Sequence, residues 1–350
     1  MTYLFLYTEL ADYFISCCKA LSVQNEVHII RWPVNKEAPF QFDFGQALKV
    51  YNKSDYDFAG LTQLIQKIKP DVIICSGWID KDYLKQVKPY FKKIPTVITL
   101  DTKWRGTVKQ LTATLLSRAY LTNRFSHIWV PGKQQARYAS KLGFKKNNIL
   151  LDFYCCDLKK FNAAYLQQFE KKKTNFPQKF IYVGRYYDFK GIEELWEAFV
   201  QLSDEQNHEW ELWCVGTGSV KPRIHPKIKH FGFIQPDDLI SIMEQTGVFI
   251  LPSRFEPWAV VVQEFAAAGF PLLLSQEVGA SEAFLESGKN GYSFRKENVN
   301  ELKNNLKKVL SLEQQELVKM GEYSHLLAQK INPENWINTL KKITNEFNRK

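Results

Sequence analysis

Two carboxylates, Glu256 and Glu264, stand in an otherwise apolar stretch, LPSRFEPWAVVVQEFAAAGFP, running from Leu251 to Pro271. A buried carboxylate is costly unless something pairs with it, so each of these needs a cation or a set of donors. Pro257 suits a first helical position and Gly269 and Pro271 are stop signals, so the pattern predicts a helix over Pro257–Ala268. Only Gln263 and Glu264 are polar within it, which predicts burial nearly all round. Eight residues at helical rise then separate the carboxylates by about 12 Å, close to the span of a sugar-diphosphate-ribose. Retaining glycosidases need carboxyls about 5 Å apart, so this spacing argues against glycoside hydrolysis. The same residues also read as a capping Glu256 and a salt-bridged Glu264.

The segment FEPWAVVVQEFAAAGFPLLLS resembles the E-x7-E signature of retaining glycosyltransferases of the GT4 family, and FIYVGRYYDFKG resembles that family's G-R-x4-K-G segment. The resemblance implies that Arg185 and Lys190 bind the diphosphate of a nucleoside-diphosphate sugar, UDP- or GDP-linked. Fixed cations there would stabilise charge growing on the leaving group. It further implies that Glu256 holds donor-sugar hydroxyls, that Glu264 holds the ribose, and that Phe233 and Ile234 lie against the base. Backbone amides of Trp258, Ala259 and Val260, in the first turn of the expected helix, would form an anion site. Gly216-Thr217-Gly218 corresponds to a glycine turn of the family, and by itself reads equally as a tight turn or as close approach to a ligand. Without the resemblance, Arg185 and Lys190 would read as solvated cations and Phe233 as core.

Three departures from the family pattern bear on the acceptor and the sugar. Ala259 stands where the family usually has glycine, which bears on sugar clearance. Asp101 follows a strand where the family often has histidine; it could orient or deprotonate an acceptor hydroxyl, hydrogen-bond the donor sugar, or act as an N-cap or turn residue. Glu9 lies where a Gly-Gly loop is usual, so the family's backbone contact to the diphosphate is not carried over. Glu9, Lys103 and Arg105 are the remaining acceptor-side candidates, the two cations suiting an acidic acceptor. Asp55-Tyr56-Asp57 and Asp80-Lys81-Asp82 match a D-x-D metal pattern that does not suit this organisation, and no metal or other cofactor is expected.

To position these residues the chain needs strands ending beside them. YLFLYT, EVHIIRW, DVIICSGW, TVITLD and HIWVPG read as strands in the first half, and FIYVGR, WELWCVGTG, IKHFGF, GVFILPS and PLLLS in the second. Helix-like stretches separate them, the pattern of parallel α/β sheets. The fold class expected is α/β, GT-B: two Rossmann-like domains facing a central cleft. The domains expected are 1–158 for the acceptor and 159–332 for the nucleotide sugar. A C-terminal helix over 333–350 packs toward the first domain, the crossing back being implied by the resemblance. Ligands of open parallel sheets bind outside the carboxyl ends of the strands.

The chain has 350 residues, 45% hydrophobic, enough for two packed cores, and a net charge of +10. Residues 1–150 carry 22 Lys and Arg against 11 Asp and Glu, while residues 151–350 carry 25 against 26. A basic first half suits an anionic membrane or acceptor, or equally a merely solvated face, and no nucleic-acid motif accompanies it. TVKQLTATLLSRAYLTNRF mixes leucines with cations, as a membrane-facing helix or, the preferred reading, a packed one. No apolar run is long enough for a membrane span, no leader is evident, and the six cysteines show no metal or disulfide spacing. A cytoplasmic protein, active at most at the inner face of a membrane, is expected.

The function expected is retaining transfer of a sugar to a glycan or lipid-linked glycan, in cell-surface polysaccharide or lipopolysaccharide synthesis. The alternatives are a non-catalytic sugar-nucleotide-binding protein and a sugar-nucleotide epimerase.

Overall fold

A computed structural model describes residues 1–34 and 40–348. In its first part the strands are β1 (Thr2–Tyr7), β2 (Glu26–Arg31), β3 (Leu48–Asn52), β4 (Val72–Ser76), β5 (Thr96–Thr99), β6 (His127–Trp129) and β7 (Ile149–Leu150). The helices there are α1 (Asp12–Ser22), α2 (Phe58–Ile68), α3 (Lys81–Val87), α4 (Val108–Tyr120) and α5 (Lys133–Lys141). In the second part the strands are β8 (Lys179–Val183), β9 (Glu211–Val215), β10 (Ile228–His230), β11 (Val248–Leu251), β12 (Leu272–Ser275) and β13 (Gly291–Phe294). Its helices are α6 (Leu158–Thr174), α7 (Ile192–Glu205), α8 (Leu239–Met243), α9 (Val260–Ala267), α10 (Ser281–Phe284), α11 (Val299–Leu310) and α12 (Gln314–Ala328); α13 (Pro333–Asn348) follows.

The strands form two parallel sheets, ordered β3-β2-β1-β4-β5-β6-β7 and β10-β9-β8-β11-β12-β13. Leu6 of β1 lies opposite Ile30 of β2 and Cys75 of β4, and Phe180 of β8 lies opposite Val248 of β11. Central strands such as β11, VFIL, are buried throughout, as expected where helices cover both sheet faces. In both sheets the strand order reverses beside the first strand, between β1 and β4 and between β8 and β11, and such reversals open a crevice at the strand ends.

The chain divides into two compact units: Met1–Cys156 with Ile331–Lys350, and Asp157–Lys330. Helix α13 thus completes the first unit, where it packs on α1. Its Trp336 is buried between Phe5 (6.1 Å between ring centres) and Trp129 (4.9 Å), and its indole N–H donates to the Phe153 carbonyl at 2.9 Å.

In the second unit, α6 packs on α9 and α12. Lys172 of α6 is buried there, its ammonium 3.5 Å from the centre of the Phe270 ring and without a hydrogen-bond acceptor among the described residues. Burial pushes its pKa down to about 7.

Three expectations from the sequence need correction. The helix expected from Pro257 begins at Val260, because Ala259 takes a left-handed backbone conformation (φ 79°) that helical geometry excludes. That helix is not buried all round: Val260, Val261 and Glu264 form a half-exposed stripe, while Gln263 is buried and donates to the Ala328 carbonyl at 3.0 Å. Helix α4, read as packed on its leucines, buries Gln110 and Ser117 instead and leaves Leu111, Leu115 and Leu116 exposed.

One acid of each D-x-D tripeptide serves as a helix cap. Asp57 accepts from the Gly60 N–H at 2.7 Å at the start of α2. Asp80 accepts from the Asp82 and Tyr83 N–H groups at 2.9 and 3.1 Å, and from Trp32 and Lys53 at 2.6 Å each. Burial alone would raise the Asp80 pKa, but the Lys53, Trp32 and Tyr83 hydrogen bonds outweigh it and hold the carboxyl below its ordinary value. Among the described residues no helix is long and apolar enough to cross a membrane.

Candidate functional site

In the second unit the candidate donor residues leave from the carboxyl ends of neighbouring strands. Gly184 and Arg185 follow β8, Gly216–Gly218 follow β9, and Glu256 lies five residues beyond β11. The loops after β8 and β9 continue their strands' pairing, Gly184 N–H donating to Val215 at 3.0 Å and Tyr186 N–H to Thr217 at 2.8 Å. A methyl group on Gly216 would sit 1.9 Å from the Gly184 carbonyl oxygen, and one on Gly218 would sit 2.3 Å from that of Tyr186. Both glycines therefore permit one loop to lie directly on the other. Phe233 and Ile234 follow β10, half-buried after Gly232, whose φ is 71°.

Lys190, in a single 3-10 turn over Asp188–Lys190, forms an ion pair with Glu256. The two side chains are only 15% and 11% exposed, so the pair is largely withdrawn from water. Ser253 Oγ also lies 3.5 Å from the Glu256 carboxylate. Arg185 stays exposed, its guanidinium 5.2 Å from the Tyr187 ring centre. The structure thus joins Lys190 to Glu256 and leaves Arg185 facing solvent on the same loop.

Backbone contacts fix Glu256 from both sides. The Arg254 and Phe255 N–H groups donate to the Phe189 carbonyl at 2.9 and 3.2 Å, and the Glu256 and Trp258 carbonyls accept from Gly279 and Ala280 at 3.0 and 2.9 Å. A methyl on Gly279 would lie 1.9 Å from the Pro257 carbonyl oxygen, so glycine is required there. Trp258 is buried, its indole N–H without an acceptor among the described residues. Trp258 and Ala259 precede α9 and Val260 opens it. Glu264 lies one turn further on, so the rise that gave about 12 Å between the carboxylates does not apply along the whole path.

Sequence reasoning passed over Arg254 and Gly279. Arg254 pairs with Asp188 and Glu194, each at 2.6 Å, clamping the Glu256 loop to the Lys190 turn. The signal available was charge complementarity between an arginine in LPSRFEP and the acids of DFKGIEEL. For Gly279 no local signal exists, since the crowding comes from Pro257.

In the first unit Glu9 and Asp101 line one hollow of about 440 Å³ at the carboxyl ends of β1, β4 and β5. Thr8, Ser76, Trp78 and Tyr154 share that lining. Thr8 N–H donates to Ser76 Oγ at 2.9 Å, and Tyr154 donates its hydroxyl to Asp101 at 3.2 Å. Burial, reinforced by Tyr13 and Asp101, raises the Tyr154 pKa well above the phenol range, which keeps it a donor. Lys103 is buried and Arg105 exposed in the loop beyond, where Gln110 donates to the Lys103 carbonyl at 2.9 Å and accepts from the Arg105 N–H at 2.7 Å. The lining of the hollow includes neither cation.

Residues 166–326 match the family model described as Glycosyl transferases group 1. Over 177 residues the chain is 25% identical to the N,N'-diacetylbacillosaminyl-diphospho-undecaprenol alpha-1,3-N-acetylgalactosaminyltransferase of Campylobacter jejuni, covering 47% of this chain and 46% of that protein. The chain spans less than half the length of the curated relatives it matches. Sucrose-phosphate synthase from Thermosynechococcus elongatus superposes over 99% of both chains with a TM-score of 0.74 at 17% identity. HepE of Anabaena, solved in complex with UDP and glucose, superposes over 98% of both chains with a TM-score of 0.69 at 15% identity. These likenesses show the fold, the two parallel-sheet α/β units of GT-B proteins.

Proposed function

Because residues 166–326 match the family model of group 1 glycosyl transferases, we propose that the chain moves a sugar from a UDP- or GDP-linked donor to a glycan or lipid-linked glycan, retaining the anomeric configuration. The observation that carries this reading is the Lys190–Glu256 ion pair, set at the strand reversal of the second sheet and inside the matched segment. A complex of HepE with UDP and glucose supports the donor class. A relative whose name describes a diphospho-undecaprenol-linked sugar supports a lipid-linked acceptor; with such an acceptor, the proposed place is cell-surface glycan synthesis at the inner face of a membrane.

In this reading Asp157–Lys330 is the donor unit and the remainder the acceptor unit. Lys190 is held in place by Glu256 and Arg185 stands free to swing, so an incoming diphosphate meets one fixed and one mobile cation. As the sugar–oxygen bond breaks, charge grows on the diphosphate; Lys190, already aligned, stabilises it without reorganising, and Arg185 swings in to meet it. Glu256 then hydrogen-bonds the sugar hydroxyls. Glu264 holds the ribose, Phe233 and Ile234 flank the base, and the amides of Trp258, Ala259 and Val260 meet a phosphate oxygen. The loops around Gly216 and Gly218 let the backbone close on the donor. The departing diphosphate oxygen takes the acceptor proton on the same face, so no protein nucleophile is needed. Asp101 and Glu9 orient the acceptor hydroxyl in the hollow of the first unit, with Lys103 and Arg105 in the loop beyond.

Calorimetric titration with UDP, GDP, ADP and their sugar conjugates, with and without Mg²⁺, tests the proposal. Metal-independent binding of one series is expected, lost in Glu264→Ala, while Arg185→Ala binds donor but transfers slowly. No binding across the panel by folded protein would overturn it.

A further inference from the structure

Helix α4 is turned the opposite way from an ordinary packed helix. Its exposed large apolar side chains are Val108 (76% exposed), Leu111 (50%), Leu115 (79%), Leu116 (72%) and Tyr120 (42%). Its buried ones are Gln110 and Ser117, and hydrogen bonds explain why. Gln110 is tied to Lys103 and Arg105, and Ser117 donates to the Leu142 carbonyl at 3.1 Å. The polar face is therefore the one anchored to the protein, and the apolar face has been left outward. An exposed contiguous apolar stripe of this kind marks an interaction surface.

Charge identifies what would cover it. Between Asp101 and Asp152 the sequence has no Asp or Glu and ten Lys and Arg, and α4 lies within that stretch. At about 3.6 residues per turn, Lys109 and Arg118 fall on opposite flanks of the apolar stripe, and both are exposed. Cations bordering an apolar face on a helix match a bilayer boundary, where apolar side chains enter the acyl region and cations meet anionic headgroups. A second copy fits poorly, because a two-fold contact would bring the same cations against each other with no acid between them.

We propose that the outward face of α4 docks on an anionic lipid bilayer, with Leu111, Leu115 and Leu116 entering the interface and Lys109 and Arg118 at the headgroups. The proposal goes beyond the transferase reading, since it uses no residue of the donor site or of the hollow. Either one can fail without the other.

The test is co-sedimentation of the full chain with vesicles of phosphatidylglycerol and phosphatidylcholine, against phosphatidylcholine alone. The expected result is salt-weakened binding to the anionic vesicles only. Replacing Leu111, Leu115 and Leu116 together by Gln should reduce partitioning at least ~10-fold. Thermal stability and nucleotide binding should stay unchanged, as these side chains make no core. Lys109→Glu with Arg118→Glu should remove the preference for anionic lipid. Absence of wild-type binding, or binding that survives both sets of changes, would overturn the proposal. So would a dimer, seen by light scattering, that the Leu→Gln changes dissolve.

Discussion

Lys190 and Glu256 are separated by 66 residues in the chain and form one largely desolvated pair. Removing one partner leaves the other charge uncompensated, so each single change should cost more than its own contacts. Lys190→Met and Glu256→Gln are each expected to lower kcat/KM for transfer by roughly 10²-fold or more. The double variant should lose clearly less than the product of the two, which a kinetic double-mutant cycle measures. Ala259 offers an opposite case, because a Cβ at φ 79° is strained where glycine is not. Ala259→Gly should raise stability by about 1 kcal/mol, read from the urea midpoint. Both residues were legible as unusual, Glu256 as a carboxylate among apolar neighbours and Ala259 as a departure from a family glycine. The partner of Glu256 was not legible, since nothing local to DFKG points at LPSRFEP. The apparent helical start at Pro257 misled for a related reason. Gly279 and Ala280, more than twenty residues downstream, hold that segment extended.

At the scale of elements, the strands read from the sequence, apart from the edge strand β10, are those whose apolar runs are buried on both faces. The three not read, β3, β7 and β13, are all sheet-edge strands, shorter or more polar, as edges that meet solvent tend to be. Helix α4 escaped because leucine spacing specifies a face but not the direction it points. Helix α6 carries a different conflict, a lysine inside the core. With its pKa lowered from 10.5 to about 7, the unfolded chain holds the extra proton between those values. Stability therefore rises with pH across that window, and the burden of the buried ammonium is fully present below about pH 7. Lys172→Met should stabilise the protein at pH 6, by an amount on the order of 3 kcal/mol, with the gain shrinking towards pH 10. Urea unfolding of both proteins from pH 6 to 10 measures it, and groups common to both cancel in the difference.

For the whole molecule, two parallel-sheet units were legible from the alternation of strand and helix patterns, whereas the exact junctions depend on packing. Trp336 shows how much the first unit owes to α13, since it joins Phe5, Trp129 and Phe153. Trp336→Ala should cost the first unit roughly 3–5 kcal/mol. Hydrogen exchange should then accelerate in β1 and α1 while β8 and β9 keep their protection. The return of the chain at Ile331 also governs the order of events on the ribosome. All of Asp157–Lys330 is translated before α13 exists, a delay on the order of ten seconds or more at about 5–20 residues per second. During that interval the aromatic seat of Trp336 stands open on a nascent unit. Chaperones that hold apolar surface have their clearest target there, before the second unit has finished emerging.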